Sequence, residues 1–210
     1  MNAVLNIFKK KLPLFSYLFH PIFIPMLACL FYFFVNENYF SYLQYEVYLI
    51  LFQVLILTFL IPISFFYLLK SLGKIDTVMV SELSQRKLPL FFQVVLLLVL
   101  IERGTTIDRI PELYYYFLSG FISTILALVL LFIRIKASLH MLGIGSLLFF
   151  VISISIHEQT NFLSSIGFLT LLTGIIASSR LEMKAHNYKE LIIGFVIGIA
   201  PQIGLWYFWL

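Results

Sequence analysis

Twelve residues, Ser179-Arg180-Leu181-Glu182-Met183-Lys184-Ala185-His186-Asn187-Tyr188-Lys189-Glu190, bring together a hydroxyl, a guanidinium, an imidazole and a carboxylate between two long apolar runs. His186 and Glu190 are four apart, so on a helix they share a face and the carboxylate can orient the imidazole. Arg180 and Ser179, just upstream, can hold an anion in front of that ring. Attack on a phosphate ester needs this combination: a nucleophilic nitrogen in one tautomer, and donors that neutralise phosphoryl oxygens. A plainer reading also exists, because charged residues crowd the ends of membrane helices and Glu–Lys pairs form there routinely.

Two further polar clusters stand where apolar segments begin. Lys136-Ala137-Ser138-Leu139-His140 opens one of them. A helix N-terminus there offers free N–H groups to an anion. Ser138 is equally a good N-cap, and His140 an ordinary interfacial histidine. Arg86-Lys87-Leu88-Pro89 opens another segment, where the basic pair either meets phosphate or anchors the helix.

These clusters need elements to position them, and the composition says which. Of 210 residues, 61% are hydrophobic and 11% charged. Soluble domains carry about 25% charged residues, so the chain reads as an integral membrane protein, a single domain over 1–210. The single cysteine, Cys29, excludes an internal disulfide and a cysteine-rich metal site. Met26-Leu27-Ala28-Cys29 has the look of a lipoprotein cleavage box, but the apolar run continues to Val35, so a retained membrane helix is expected. No basic stripe with interleaved aromatics lies outside the apolar runs, which argues against nucleic acid.

Seven segments are expected to span: 16–35, 45–69, 88–101, 113–133, 138–156, 162–178 and 191–210. The architecture is therefore all-α, a polytopic transmembrane bundle of six to seven helices. His20-Pro21 and Pro25 predict an irregular first segment, ended by Asn36-Glu37-Asn38. Pro89 predicts the start of the third, and Pro201 interrupts the seventh. Gly194 and Gly198 form a GxxxG pair, which implies close helix packing first and dimerisation second. Threading the segments puts every Lys and Arg except Arg103 and Arg109 on the N-terminal side, twelve of fourteen. The positive-inside rule makes that side cytoplasmic. All three polar clusters fall on it. His20 stands on the same side and is open to joining them. His157-Glu158 falls on the other, as a loop pair and not a ligand set.

With these residues in view, the chain resembles a divergent member of the type 2 phosphatidic acid phosphatase superfamily. Its third motif, S-R-x5-H-x3-D, is met by Ser179, Arg180, His186 and, in place of Asp, Glu190. Its second, P-S-G-H, appears as Ala137-Ser138-Leu139-His140. Its first, K-x6-R-P, is reduced to Arg86 with Pro89 three residues on; Lys74, Lys87 or Lys136 would have to supply the missing cation. The motifs fall between about residues 70 and 195, and the family's six-helix core would occupy about 45–210. The stretches from Thr58 to Pro62 and from Ser16 to Pro21 resemble a Bacteroidetes-type branch.

The resemblance implies a lipid phosphate or diphosphate phosphatase. His186 would form a phosphohistidine, Glu190 would hold its other nitrogen, and His140 would protonate the leaving alcohol. Arg180, Ser179, Ser138, Arg86, Lys87 and Lys136 would bind phosphoryl oxygens. No metal or cofactor is implied, and the partner is a membrane lipid. Leu139 stands where the family has a glycine that approaches phosphate closely. The missing lysine removes a charged hydrogen bond worth about 1.5–3 kcal/mol. These departures keep a second reading open: a degenerate, non-catalytic subunit that binds a headgroup or a membrane protein. A homodimer also stays open. Prolines in the second and seventh segments raise transport as a third reading, but no inverted repeat and no charge deep in a span supports it.

Overall fold

The computed structural model describes residues 11–35, 44–76, 82–104 and 110–210. Lys9, Lys10, Asn36-Glu37-Asn38 and Arg109, each used in the threading, lie outside them. Seven helical spans follow one another: α1 (Lys11–Val35), α2 (Tyr45–Ser71), α3 (Leu83–Arg103), α4 (Pro111–Phe132), α5 (Leu139–His157), α6 (Leu163–Glu182) and α7 (Tyr188–Trp209). Each is long and apolar enough to cross a membrane, and no strand occurs among the described residues. The chain is thus an all-α polytopic bundle, since only structures that satisfy their own backbone groups cross a bilayer.

Helix α5 forms the centre. It is apolar on all sides, and two thirds of its central window (67%) is buried within the bundle, against 39% or less for every other span. A helix hydrophobic all round belongs inside. Its Ile144 and Phe150 share one buried core cluster with Tyr32 and Phe33 of α1 and Leu113 and Phe117 of α4. Helix α7 lies hard against α5 through the glycine pair. A Cβ on Gly194 would come within 2.3 Å of the Ser138 carbonyl oxygen, and one on Gly198 within 2.3 Å of that of Leu142. The GxxxG pair therefore works inside the chain.

The irregularities fall near the site. Helix α1 breaks at His20, passes through a 3-10 turn at Pro21–Phe23 and resumes at Ile24–Val35. His20 is extended (ψ 141°), as a residue before proline prefers. Helix α2 contains a π turn at Ile56–Leu60 just before Pro62, which the sequence did not announce. Helix α3 begins at Leu83, before the expected start, so Arg86 and Lys87 belong to it and Pro89 is interior. In a membrane bundle such a proline is tolerated because neighbours can satisfy the freed carbonyl. Pro201 likewise does not end α7.

Candidate active site

The stretch from Ser179 to Glu190 is not one helix. Helix α6 runs on through Ser179 and Arg180 and ends at Glu182. Lys184 then takes a left-handed conformation (φ 51°). Ala185 N–H donates to the Arg180 carbonyl (3.1 Å) and Lys184 N–H to that of Leu181 (2.9 Å). This is a Schellman closure, built here without the usual glycine. Asn187 then caps α7, its side-chain oxygen accepting from Glu190 N–H at 3.0 Å. His186 is therefore held in the turn between the helices. Glu190, in the first turn of α7, still reaches it: Nδ1 of His186 lies 2.7 Å from Oε2. Asn187 Nδ2 donates to the other carboxylate oxygen at 3.3 Å. A carboxylate accepts, so Nδ1 of His186 carries the proton and Nε2 keeps its lone pair.

The second cluster meets this turn directly. Ser138 caps α5, accepting from Met141 N–H at 3.5 Å, while its own N–H donates to the Glu190 carbonyl at 3.0 Å. Lys136 Nζ donates to the Ala185 carbonyl (3.0 Å) and Arg86 Nη1 to that of Ala137 (3.2 Å). Lys136 thus ties the α4–α5 turn to the α6–α7 turn, and Arg86 ties α3 to the α4–α5 turn. Helix α1 closes the remaining side. His140 Nε2 donates to the Ser16 carbonyl (3.0 Å), and the Ser16 and Ser179 hydroxyls bond at 2.6 Å. His20 packs edge-on against His140, with ring centroids 5.2 Å apart.

Arg86, Arg180, His20, His140 and His186 all line one cavity of about 180 Å³, whose lining contains no carboxylate. Arg180 is 3% exposed, and its Nε has no hydrogen-bond partner among the described residues. Its Nη1 has only the Met183 sulfur, 3.7 Å away. No carboxylate pairs with this buried guanidinium among the described residues, and an anion in the cavity would compensate it.

Burial, followed by Arg86, Arg180 and Lys136, pushes the His186 pKa down to about 3. The ring is thus neutral at physiological pH, although Glu190 is in contact. Burial and then Arg86 also lower Lys136. Unfolded, His186 takes a proton below about 6.5; folded, it resists until about 3. The stability gained by keeping it neutral is present above pH 6.5 and is lost as the pH falls through that window to about 3. Its slope is up to ~1.4 kcal/mol per pH unit. Thermal unfolding of the detergent-solubilised protein should therefore weaken more steeply below pH 6.5 in the wild type than in His186→Gln. Parallel curves would refute the depressed pKa.

Of the residues the sequence singled out, four line the cavity: Arg86, His140, Arg180 and His186. Glu190 supports His186 from behind. Ser138, Ser179 and Lys136 bind protein groups within hydrogen-bond reach of the site residues. Lys87 is exposed and stands over the Phe132 ring (5.0 Å), away from the cavity. The sequence left His20 open and did not single out Ser16. The signal for both was a serine and a histidine four residues apart in an apolar run, immediately before a proline. At the opposite end, His157 Nε2 lies 3.5 Å from Glu112 Oε1, and Tyr32 donates to Oε2 at 3.0 Å. With Glu158 these make a group whose ligand atoms lie within 4.8 Å of one another. The expected loop pair thus gains a third member from α4.

Fold and site together define a polytopic helical membrane protein with a cationic, histidine-lined cavity at one end. Compared with family models, curated proteins and solved structures, the chain finds no match.

Proposed function

We propose that the chain is a lipid phosphate phosphatase of the type 2 phosphatidic acid phosphatase kind. The observation that carries this is that His186, held at Nδ1 by Glu190, lines the same cavity as Arg180, whose Nε has no hydrogen-bond partner among the described residues. In the reaction, Nε2 attacks phosphorus and the bond to the lipid oxygen breaks. Nδ1–H stays on Glu190, which stabilises the positive charge that the ring acquires. The lipid phosphate enters as its monoanion and passes its proton to Nδ1 of His140, whose Nε2–H is fixed on the Ser16 carbonyl; the departing alkoxide takes that proton up. Water then gives one proton to the same Nδ1 as it attacks the phosphohistidine, so the N–P bond breaks, inorganic phosphate leaves with the other proton and the His186 ring is neutral again. Arg86 and Arg180 hold the phosphoryl oxygens throughout. The charge count supports a cytoplasmic site in a bacterial inner membrane; a reporter fused after Leu210 should then report the opposite compartment. The decisive experiment measures phosphate release from a panel of lipid phosphates with chelator present and traps the acid-labile phosphoryl group by mass spectrometry. Release with phosphate on His186 is expected; release without label, or label elsewhere, would refute the mechanism.

A second reading has its own observation. Arg86, Lys136 and the Ser138 N–H all donate to backbone carbonyls of the protein itself. Donors so committed suit a non-catalytic subunit that recognises a headgroup. On that reading lipid phosphates bind but are not cleaved, and a protein partner purifies in stoichiometric amount.

A further inference from the structure

The cavity continues well beyond the groups that would hold phosphate. Along α3 its lining residues are Arg86, Pro89, Leu90, Gln93 and Leu97. These are offsets of three, four, seven and eleven, one helix face. From Arg86 to Leu97 that face descends about 16 Å at 1.5 Å per residue. Helix α4 runs antiparallel and continues the wall downward through Thr124, Gly120, Phe117 and Tyr116. Below the level of Arg86 the lining holds no charged side chain.

Three polar groups on this wall are occupied by the protein: Thr58 Oγ donates to the Val54 carbonyl (2.8 Å), Thr124 Oγ donates to that of Gly120 (2.7 Å), and Ser146 Oγ accepts from Gln202 (3.2 Å). Beside these three the wall asks for no hydrogen bond from what enters it. Its whole volume, about 180 Å³, is close to the ~150 Å³ hole that accommodates one benzene ring in an engineered core. Two hydrocarbon chains side by side would not fit.

One position on the wall is open. A Cβ on Gly143 would meet the Ile24 side chain at 3.2 Å, so α1 seals that side. A Cβ on Gly120 would meet nothing within 4 Å, because the space beside it is the chamber. We infer that the chamber receives a single hydrocarbon chain of the phosphorylated lipid, and that Gly120 sets the chain length accepted. This rests on phosphate binding at the Arg180 end, as proposed above.

The test uses the full chain in nanodiscs, with ethyl, hexyl and dodecyl phosphates for turnover and the matching alkylphosphonates for binding. Gly120→Leu fills the lower chamber. Gly167→Leu is its control: Gly167 is an exposed α6 glycine where a Cβ likewise meets nothing within 4 Å. The ratio of kcat/KM for hexyl over ethyl phosphate should fall tenfold or more in Gly120→Leu, since overpacking a fitted space costs roughly that much or more. The phosphonate affinity ratio should fall with it, and Gly167→Leu should keep the wild-type ratios. Unchanged ratios in Gly120→Leu would overturn the chamber while leaving the phosphatase in place. No turnover of any phosphate, with the phosphonate ratios still shifted by Gly120→Leu, would overturn the phosphatase and uphold the chamber. Phosphonate binding indifferent to chain length in the wild type would overturn the chamber whatever the turnover.

Discussion

His186→Ala should lower phosphate release by on the order of 10⁵-fold, leaving only what anion binding in the cavity provides. His140→Gln should cost less, about 10²–10⁴-fold, the range of a general acid. The two losses also differ in how they depend on the leaving group. An alkyl alcohol must be protonated as it departs, whereas p-nitrophenolate leaves unaided. The His140→Gln loss should therefore shrink toward wild-type turnover with p-nitrophenyl phosphate, and the His186→Ala loss should not. A purely structural role for His140 predicts the same loss on both substrates. His140 Nε2 holds the Ser16 carbonyl, and glutamine keeps an N–H donor for that bond, so the fold is retained in the variant. Equal losses with the two substrates would remove His140 from the chemistry. An active His186→Ala would remove the phosphohistidine altogether.

The seven spans were legible because their signal is redundant: each is a long apolar run bounded by charge, and no other structure of that length satisfies its backbone in a bilayer. Boundaries were less so, for identifiable reasons. The turn after α6 contains neither glycine nor proline, and Lys184 carries the left-handed conformation that glycine would have announced. Helical spacing of His186 and Glu190 therefore gave the right contact for the wrong geometry; the pair meets across a helix cap. At α3 the polar Arg86-Lys87 masked the first five residues of the helix, 83–87, which fold as helix anyway, since Arg86 is buried against the Ala137 carbonyl. The contribution of α1 depended on a long-range contact, Ser16 with Ser179 and His140, whose partners the local Ser16–His20–Pro21 pattern does not name. Lys87 shows the reverse case. It shares a motif with Arg86, but it sits about 100° round the helix from it and stands outward over the Phe132 ring.

Gly194→Ala should be the most damaging single-methyl change in the molecule. The added Cβ would lie 2.3 Å from the Ser138 oxygen and 2.9 Å from its nitrogen, both backbone atoms that cannot rotate away. Relief requires α7 to retreat from α5, the most buried span. That retreat breaks the 3.0 Å bond from Ser138 N–H to the Glu190 carbonyl, which registers the α5 N-terminus against the turn carrying His186. Forced overpacking costs about 1–3 kcal/mol where side chains can yield, and a rigid backbone contact lies at or beyond the upper end. Helix propensity works in the opposite direction, because alanine is favoured over glycine by about 1 kcal/mol in a helix interior. Gly167→Ala isolates that gain, since its methyl meets nothing within 4 Å. Thermal unfolding in detergent should thus show Gly167→Ala at or above the wild type and Gly194→Ala well below it. Turnover should fall further than folded fraction in Gly194→Ala, because His140 lies on α5 and His186 in the turn that leads into α7. Equal stability of the two variants would show that the glycine pair does not set the α5–α7 distance.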